Sequence, residues 1–250
     1  MSHGSSPARS RRGLVESCLE FLKATPFHPQ WLVFRDNYGS LSAVRESLKG
    51  RVIDIGCGNR DVRKYLARDA DYIGLDFYRT AVAWYGTRPD IYGDAQALPL
   101  RSECADTVIL LDVLEHLPHP ERCIHEISRI LMHGGSFLLQ VPFVYPLHDA
   151  PLDFHRWSLY GLRELLSKHD FRIIREEHKG NPAESASLLM NIALCRMTIN
   201  WIKQFNPAGI IIVFVPFFIL FNNIVARLLG MISRPDPIMP WGYRMLLVKD

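Results

Sequence analysis

Apolar positions at helical spacing predict short amphipathic helices over 14–23 and 41–48. From Arg51 onward the pattern changes. Short, almost continuously apolar runs predict strands at 51–56, 72–76, 91–94, 106–111 and 136–141, with helices between them at 61–69, 80–85 and 121–131. The last of these helices is expected to stop at Gly134-Gly135. Ser158 is a candidate N-cap for a helix reaching about Lys168, and further strands are expected at 171–177 and 243–248. Strands that are apolar on both faces, alternating with helices, predict an α/β fold: a doubly wound, mainly parallel seven-stranded sheet covered on both sides. Such sheets bind ligands at the carboxyl ends of their strands.

One stretch does not fit that rhythm. Residues 185–203 read as a helix with a broad apolar face, Asn206-Pro207-Ala208-Gly209 breaks it, and a run from Ile210 to Phe221 follows. No charge occurs from Gln204 through Ala226, while Lys203, Arg227 and Arg234 flank the stretch. About 20 apolar residues suffice to span a bilayer. Three readings stand open: a buried helical hairpin, an interfacial helix or hairpin dipping into one leaflet, and a transmembrane span. Pro216 and the pair Asn222-Asn223 weaken the last. A single crossing also fails to return the chain to the strand expected at 243–248. The segment 238–243, with Trp241 and Tyr243, is expected to lead back and to set rings at the interface.

Composition narrows the class. The 250 residues are 48% hydrophobic and 22% charged, with a formal net charge of +3. Extensive disorder is excluded, and no broad basic surface asks for nucleic acid. The five cysteines, Cys18, Cys57, Cys104, Cys123 and Cys195, form no C-x-x-C pair, so a reducing cytoplasm is expected. Residues 1–12 are Ser- and Arg-rich without an apolar segment; they read as a solvated tail, not a signal peptide.

Candidate chemistry collects at the strand ends. The first strand ends in Asp54-Ile55-Gly56-Cys57-Gly58-Asn59-Arg60, whose glycines allow a tight turn and close approach of a ligand. The frame of the dinucleotide fingerprint would require glycine at position 61, which is Asp61, and this counts against NAD. Asp76 closes the second strand, placed to accept hydrogen bonds from ribose hydroxyls. Asp94 follows the third strand, where it can take an exocyclic amine of a base. Asp112-Val113-Leu114-Glu115-His116 follows the fourth.

As a set, these segments resemble the class I S-adenosylmethionine-dependent methyltransferases, in the large subgroup sharing the "methyltransferase 11" type domain. The resemblance runs from about Arg51 to His178 and includes Arg129-Ile130-Leu131-Met132-His133-Gly134-Gly135. It implies a Rossmann-like methyltransferase fold with S-adenosylmethionine as cofactor. It places Asp54, Gly56 and Gly58 around the methionine part, Asp76 and Phe77 at the ribose, Asp94 and Ala95 at adenine, and Asp112 and Val113 beside the sulfonium. Arg60 stands where many members carry a third glycine. The organisation that follows is a tail at 1–12, N-terminal helices at 13–50, a cofactor-binding core at 51–180, an apolar insert at 181–242 and a final strand at 243–250.

The loop after the fifth strand, 141–157, packs His148, Asp149, Asp153, His155, Arg156 and several aromatics into seventeen residues. His148 and His155 are the candidate catalytic bases, because histidine titrates near neutrality. Pairing of Asp153 with Arg156, and packing of Trp157, is the structural alternative. His148, Asp149, Asp153 and His155 are suitable metal ligands by type, but their spacing matches no metal motif and the donor chemistry requires none, so no metal is expected. His116 reads as structural or cofactor-proximal. The loop also resembles a P-F-x-Y-P-x-H-[DE]-x-P-x-D-[FY]-x-R-[FW] run of bacterial members. No N-P-P-[YFW] tetrapeptide or Pro-Cys pair occurs, which disfavours methylation of DNA bases.

The expected activity is therefore methyl transfer from S-adenosylmethionine to oxygen of a small-molecule acceptor that is lipidic, lipid-linked or saccharide-like. The expected location is cytoplasmic and peripheral on the inner face of the membrane, with no nucleic-acid partner. The alternatives are a catalytically silent, membrane-docked partner protein of the same fold and a nucleotide-dependent oxidoreductase.

Overall fold

The structure, a computed structural model, describes residues 22–39, 41–233 and 236–250. The tail expected at 1–12, most of the helix expected at 14–23, Cys18 and Arg234 lie outside the described residues. Seven strands form one sheet: β1 (Arg51–Ile55), β2 (Asp71–Asp76), β3 (Ile91–Tyr92), β4 (Ala105–Leu111), β5 (Leu131–Pro142), β6 (Phe171–Lys179) and β7 (Gly242–Lys249). Their order is β3-β2-β1-β4-β5-β7-β6. β3, β2, β1, β4 and β5 are parallel neighbours, and β7 runs antiparallel to both β5 and β6. This is the expected doubly wound, mainly parallel sheet.

Alternation along the strands divides the core in two. Ile53, Ile55, Val108, Leu110, Phe137 and Leu139 pack in one cluster with Ile124 and Ile127 of the helix Pro120–Ile130 and Leu162 and Leu166 of the helix Leu159–Ser167. Val52, Ile109, Leu138 and Leu246 pack on the other side with Leu41, Val44, Leu48, Val62 and Leu66. Both faces are covered, which is why the strands read as unbroken apolar runs. Ser158 is the N-cap of its helix; its Oγ accepts from the Gly161 amide at 3.2 Å.

Three local expectations change. The segments 41–48 and 61–69 form short 3₁₀ turns, Leu41–Ser47 and Asp61–Tyr65. The helix before β5 ends at Ile130, not at the glycine pair. The amides of Glu103 and Cys104 donate to the carbonyls of Arg129 and Ile130, so the incoming loop satisfies the last helical acceptors, and Leu131 pairs with Ala105 as strand. Trp241 and Tyr243 are buried, with the Lys179 ammonium 5.5 Å over the Trp241 ring. They are core residues and cannot act as interface anchors.

Among the described residues, those in 22–37 and 180–238 cluster as one compact unit, and those in 38–179 and 239–250 as the other. In the former, helices Pro182–Lys203 and Val215–Ile232 pack together. Pro216 occupies the first turn of its helix, where no amide is needed, so it starts the helix and does not interrupt it. The asparagines link the helices, with Asn191 and Asn223 buried and Asn222 partly so. Asn191 donates to Asn223 at 2.9 Å, Asn222 donates to Asn191 at 2.8 Å, and Asn223 donates to the Pro26 carbonyl at 2.8 Å. Val215, Ile219, Asn223 and Ala226 form the buried stripe, while Phe217, Phe218, Phe221, Leu228 and Leu229 are exposed. Among the described residues, Val215–Ile232 is the one helix long and apolar enough to cross a membrane.

Candidate active site

The parallel register sets the carboxyl ends of β1, β2 and β4 along one edge, with Asp54, Asp76 and Asp112 at those ends. Asp94 follows β3 on the same edge. At the first crossover, Gly56 has φ +73°, and a Cβ on it would stand 2.3 Å from Cγ2 of Val113. Glycine is required there by the packing of the neighbouring loop. Gly58 differs: φ is +45° and, among the described residues, nothing lies within 4 Å of the position a Cβ would take. Its amide donates to Oδ2 of Asp76 at 2.9 Å. Arg60, also left-handed at φ +59°, is turned away to the Arg88 carbonyl (2.7 Å) and Asp90 (3.1 Å).

Asp76 is buried, and its second oxygen accepts from the Phe77 amide (2.7 Å) and the Thr80 hydroxyl (3.1 Å). A carboxylate offers about four acceptor positions. Three are taken, yet Thr80 has a second acceptor in the Phe77 carbonyl at 3.0 Å. Turning its single proton there opens a second position on Asp76, and the pair then fits a ribose diol. The Phe77 ring beside it is exposed. Asp94 accepts from the Gln96 amide at 2.8 Å, and Ala95 is buried. Asp54 accepts from the Tyr72 hydroxyl at 2.6 Å, and burial pushes its carboxyl up to about 6.

Asp112 takes a left-handed backbone, φ +54°, and accepts from the Gln140 amide nitrogen at 2.7 Å. Gln140 Oε1 in turn accepts from the fully buried Arg244 at 2.6 and 3.0 Å. Neither Gln140 nor Arg244 was singled out from sequence; a lone polar residue inside apolar strands was the available signal.

The loop 141–157 returns to the end of β4. The amides of Phe154 and His155 both donate to the Glu115 carbonyl, at 2.9 and 3.2 Å. Arg156 grips Asp153 through two hydrogen bonds, at 2.5 and 2.6 Å. Burial acts to raise Asp153, but the bonds from Arg156 and the His148 amide prevail and hold it at about 2. His148 is brought to His116, ring centroids 4.9 Å apart, and its Nε2 stands 3.8 Å from Glu115. His155 lies instead against Phe154 and Trp157, with Nε2 buried and, among the described residues, without a hydrogen bond. Thus the histidines grouped in sequence separate, and His116 and Glu115 join His148. Glu115 is fully buried, and burial, reinforced by the Asp112 carboxylate, pushes its carboxyl well above the usual range.

The fold and this edge define an S-adenosylmethionine-type nucleotide-binding sheet, and comparison with known proteins agrees. Residues 53–139 match the family described as "Methyltransferase domain". The chain is 30% identical over 183 residues to a fatty-acid O-methyltransferase of Mycolicibacterium smegmatis, covering 68% of this chain and 65% of that protein. It is 32% identical over 107 residues to phthiotriol/phenolphthiotriol dimycocerosates methyltransferase 1 of Mycobacterium ulcerans, covering 39% and 40%. The chain thus spans less than two thirds of the length of these curated relatives. In fold it is similar to the cyclase SpnF, with a TM-score of 0.54, 19% identity, and 86% and 80% of the two chains covered. Residues 53–139 thus carry the methyltransferase domain, and the chain is similar to S-adenosylmethionine-dependent methyltransferases.

Proposed function

We propose that this chain transfers the methyl group of S-adenosylmethionine to an oxygen of a lipidic acceptor. The observation that carries the reading is the joining of Gly58 and Asp76 at the strand edge, beside open space over Gly58, within a chain that carries this domain. The donor, when bound, supplies an electrophilic methyl on a sulfonium. Asp54 and the Gly56–Gly58 turn hold its methionine part, Asp76 and Phe77 its ribose, Asp94 and Ala95 its adenine, while Asp112 and Val113 line the reacting side. Asp112 is kept in place by Gln140 and Arg244. The bound donor would give its methyl to the acceptor oxygen and keep the S–C electron pair on sulfur, and a hydroxyl acceptor would pass its proton to a base, whereas a carboxylate acceptor carries none. His148 is assigned to that oxygen and His155 to the wall beside it. The main work left to the protein is alignment and exclusion of water.

A lipidic acceptor is supported by the names of two relatives, a fatty-acid and a dimycocerosate methyltransferase. It is further supported by the exposed apolar rings of the helical unit, Phe214, Phe217 and Phe221, which suit contact with a lipid surface. The test is incubation with methyl-labelled donor and separate fatty-acid, lipid-linked and saccharide acceptors. Label in the lipid fractions is the expected result; label only in free saccharide overturns the acceptor, and no transfer to any fraction overturns the activity.

A further inference from the structure

We propose that Glu115, His116 and His148 form a binding site for one divalent transition-metal cation, with Asp149 as an outer ligand. The donor atoms of the first three residues all lie within 4.8 Å of one another. Nε2 of His116 and Nε2 of His148 each stand 3.8 Å from Oε1 of Glu115, and Asp149 Oδ2 is 3.9 Å from His116 Nε2.

The carboxylate is the strongest observation. Glu115 has no exposed surface, and among the described residues neither of its oxygens accepts a hydrogen bond from another residue. A buried carboxylate left this way is costly unless a cation or proton answers it.

The histidines are arranged to answer it through a metal. His116 Nδ1 lies 2.7 Å from the Leu152 carbonyl, which only accepts; Nδ1 therefore carries the proton and Nε2 of the neutral ring a lone pair. His148 Nδ1 lies 3.3 Å from Asp153 Oδ2 and 3.3 Å from the Pro146 carbonyl. Arg156 Nη2 is also near, at 3.2 Å, but its two hydrogens are taken by Asp153 at 2.6 Å and the Pro146 carbonyl at 2.9 Å. In the tautomer that donates Nδ1–H toward the Pro146 carbonyl or Asp153, His148 offers its Nε2 lone pair to the site. Two imidazole nitrogens and the Glu115 carboxyl thus converge, a cation taking the place of the carboxyl proton, and His116 is braced from behind by a carbonyl, as metal-binding histidines are.

Two imidazoles with carboxylates select a zinc-like ion over magnesium or calcium. Bonds of about 2.0–2.1 Å in a tetrahedral shell put ligand atoms roughly 3.3 Å apart, so the two 3.8 Å pairs must close by about half an ångström and the two imidazoles, within 4.8 Å, must also draw together when a cation binds. His148 and Asp149 are partly exposed, which leaves one side open to an exchangeable oxygen. Glu115 stands three residues beyond Asp112, so, resting on the methyltransferase reading above, the open side is where the acceptor oxygen sits. With the cation bound, His148 is a ligand in place of its role at the acceptor oxygen, and the proton of a hydroxyl acceptor leaves to water.

The test uses the full chain stripped with a chelator, titrated with Zn²⁺ in a calorimeter, with S-adenosylhomocysteine titrated in parallel. One equivalent of zinc is expected to bind, with affinity lowered at least tenfold in Glu115→Gln and in His148→Ala, and unchanged in the exposed control His119→Ala. Retained S-adenosylhomocysteine binding shows that a variant has folded. If a variant does not fold, Co²⁺ loaded into the parent chain serves: visible d–d bands of low-coordinate cobalt support the site, and a spectrum of hydrated cobalt overturns it. Absence of stoichiometric zinc, or equal zinc affinity in the parent and both folded variants, also overturns it. Zinc binding without S-adenosylhomocysteine binding would sink the methyltransferase reading and leave the metal site standing.

Discussion

The amide of Gly58 donates to Oδ2 of Asp76 at 2.9 Å, joining the turn after β1 to the last residue of β2. One carboxylate therefore orders the glycine turn and presents an edge to a ligand. Asp76→Ala is expected to weaken S-adenosylhomocysteine binding by about 1–3 kcal/mol, the scale of hydrogen bonds to a charged group. Asp76→Asn should lose part of that, since one oxygen can still accept. Calorimetry checks both; unchanged affinity in the alanine variant would remove Asp76 from the ribose site.

The two glycines of the turn should respond differently to alanine. Gly56→Ala meets Val113 and a left-handed backbone, so it should destabilise the fold by roughly 2–3 kcal/mol. Gly58→Ala carries only the backbone penalty, about 1 kcal/mol, but places a methyl in the open space assigned to the cofactor. Thermal denaturation should single out the first variant and ligand titration the second. Equal cofactor affinity in Gly58→Ala and the parent would show that the ligand does not pass there.

Asp54 couples stability to pH. Its carboxyl is raised by burial from 3.8 to about 6, so the folded state holds its proton more tightly than the unfolded chain does. The stabilisation this gives is full below pH 3.8 and is lost as pH rises through 6, a swing of about 3 kcal/mol. Asp54→Asn should therefore be more stable than the parent at pH 8 and no more stable near pH 4, while binding donor more weakly at both. Denaturant melts across that range test the sign; a variant less stable at pH 8 contradicts it.

Arg244 is a large cation inside the sheet whose guanidinium rests on Gln140. Gln140→Leu removes that acceptor and also frees Asp112, so a loss of roughly 2–3 kcal/mol in stability is expected together with weaker cofactor binding. Adding Arg244→Met should restore part of the stability, because an apolar chain needs no partner, but not the binding. Recovery of both would mean that Asp112 does not depend on Gln140.

Phe217 and Phe221 lie on the exposed side of their helix. Replacing both with Asp should leave the melting temperature within a few degrees of the parent, since exposed sites change stability by about 0.5 kcal/mol or less each. If the helical unit meets lipid, co-sedimentation with vesicles of anionic phospholipid should fall sharply. Identical sedimentation would set the lipid-surface proposal aside.

The sequence by itself determined the sheet and its edge. Strands buried on both faces must be apolar throughout, and the turns between a strand end and the next crossover carry the glycines and acids, so Asp54, Asp76, Asp94 and Asp112 could be placed in order from spacing alone. Tertiary structure decided what spacing cannot carry. The helix before β5 stops at Ile130 because Glu103 and Cys104 reach its carbonyls from outside. Asn222 and Asn223, read as breaks in an apolar segment, are satisfied by Asn191 and by the Pro26 carbonyl, far away in the chain. Glu115 and His116 looked subordinate to the loop 141–157 until folding set His148 against them, because a cluster built from two strand ends has no sequence spacing of its own. Hydrophobic period and turn chemistry are local properties of a chain; the partner of a buried polar group is a property of the fold.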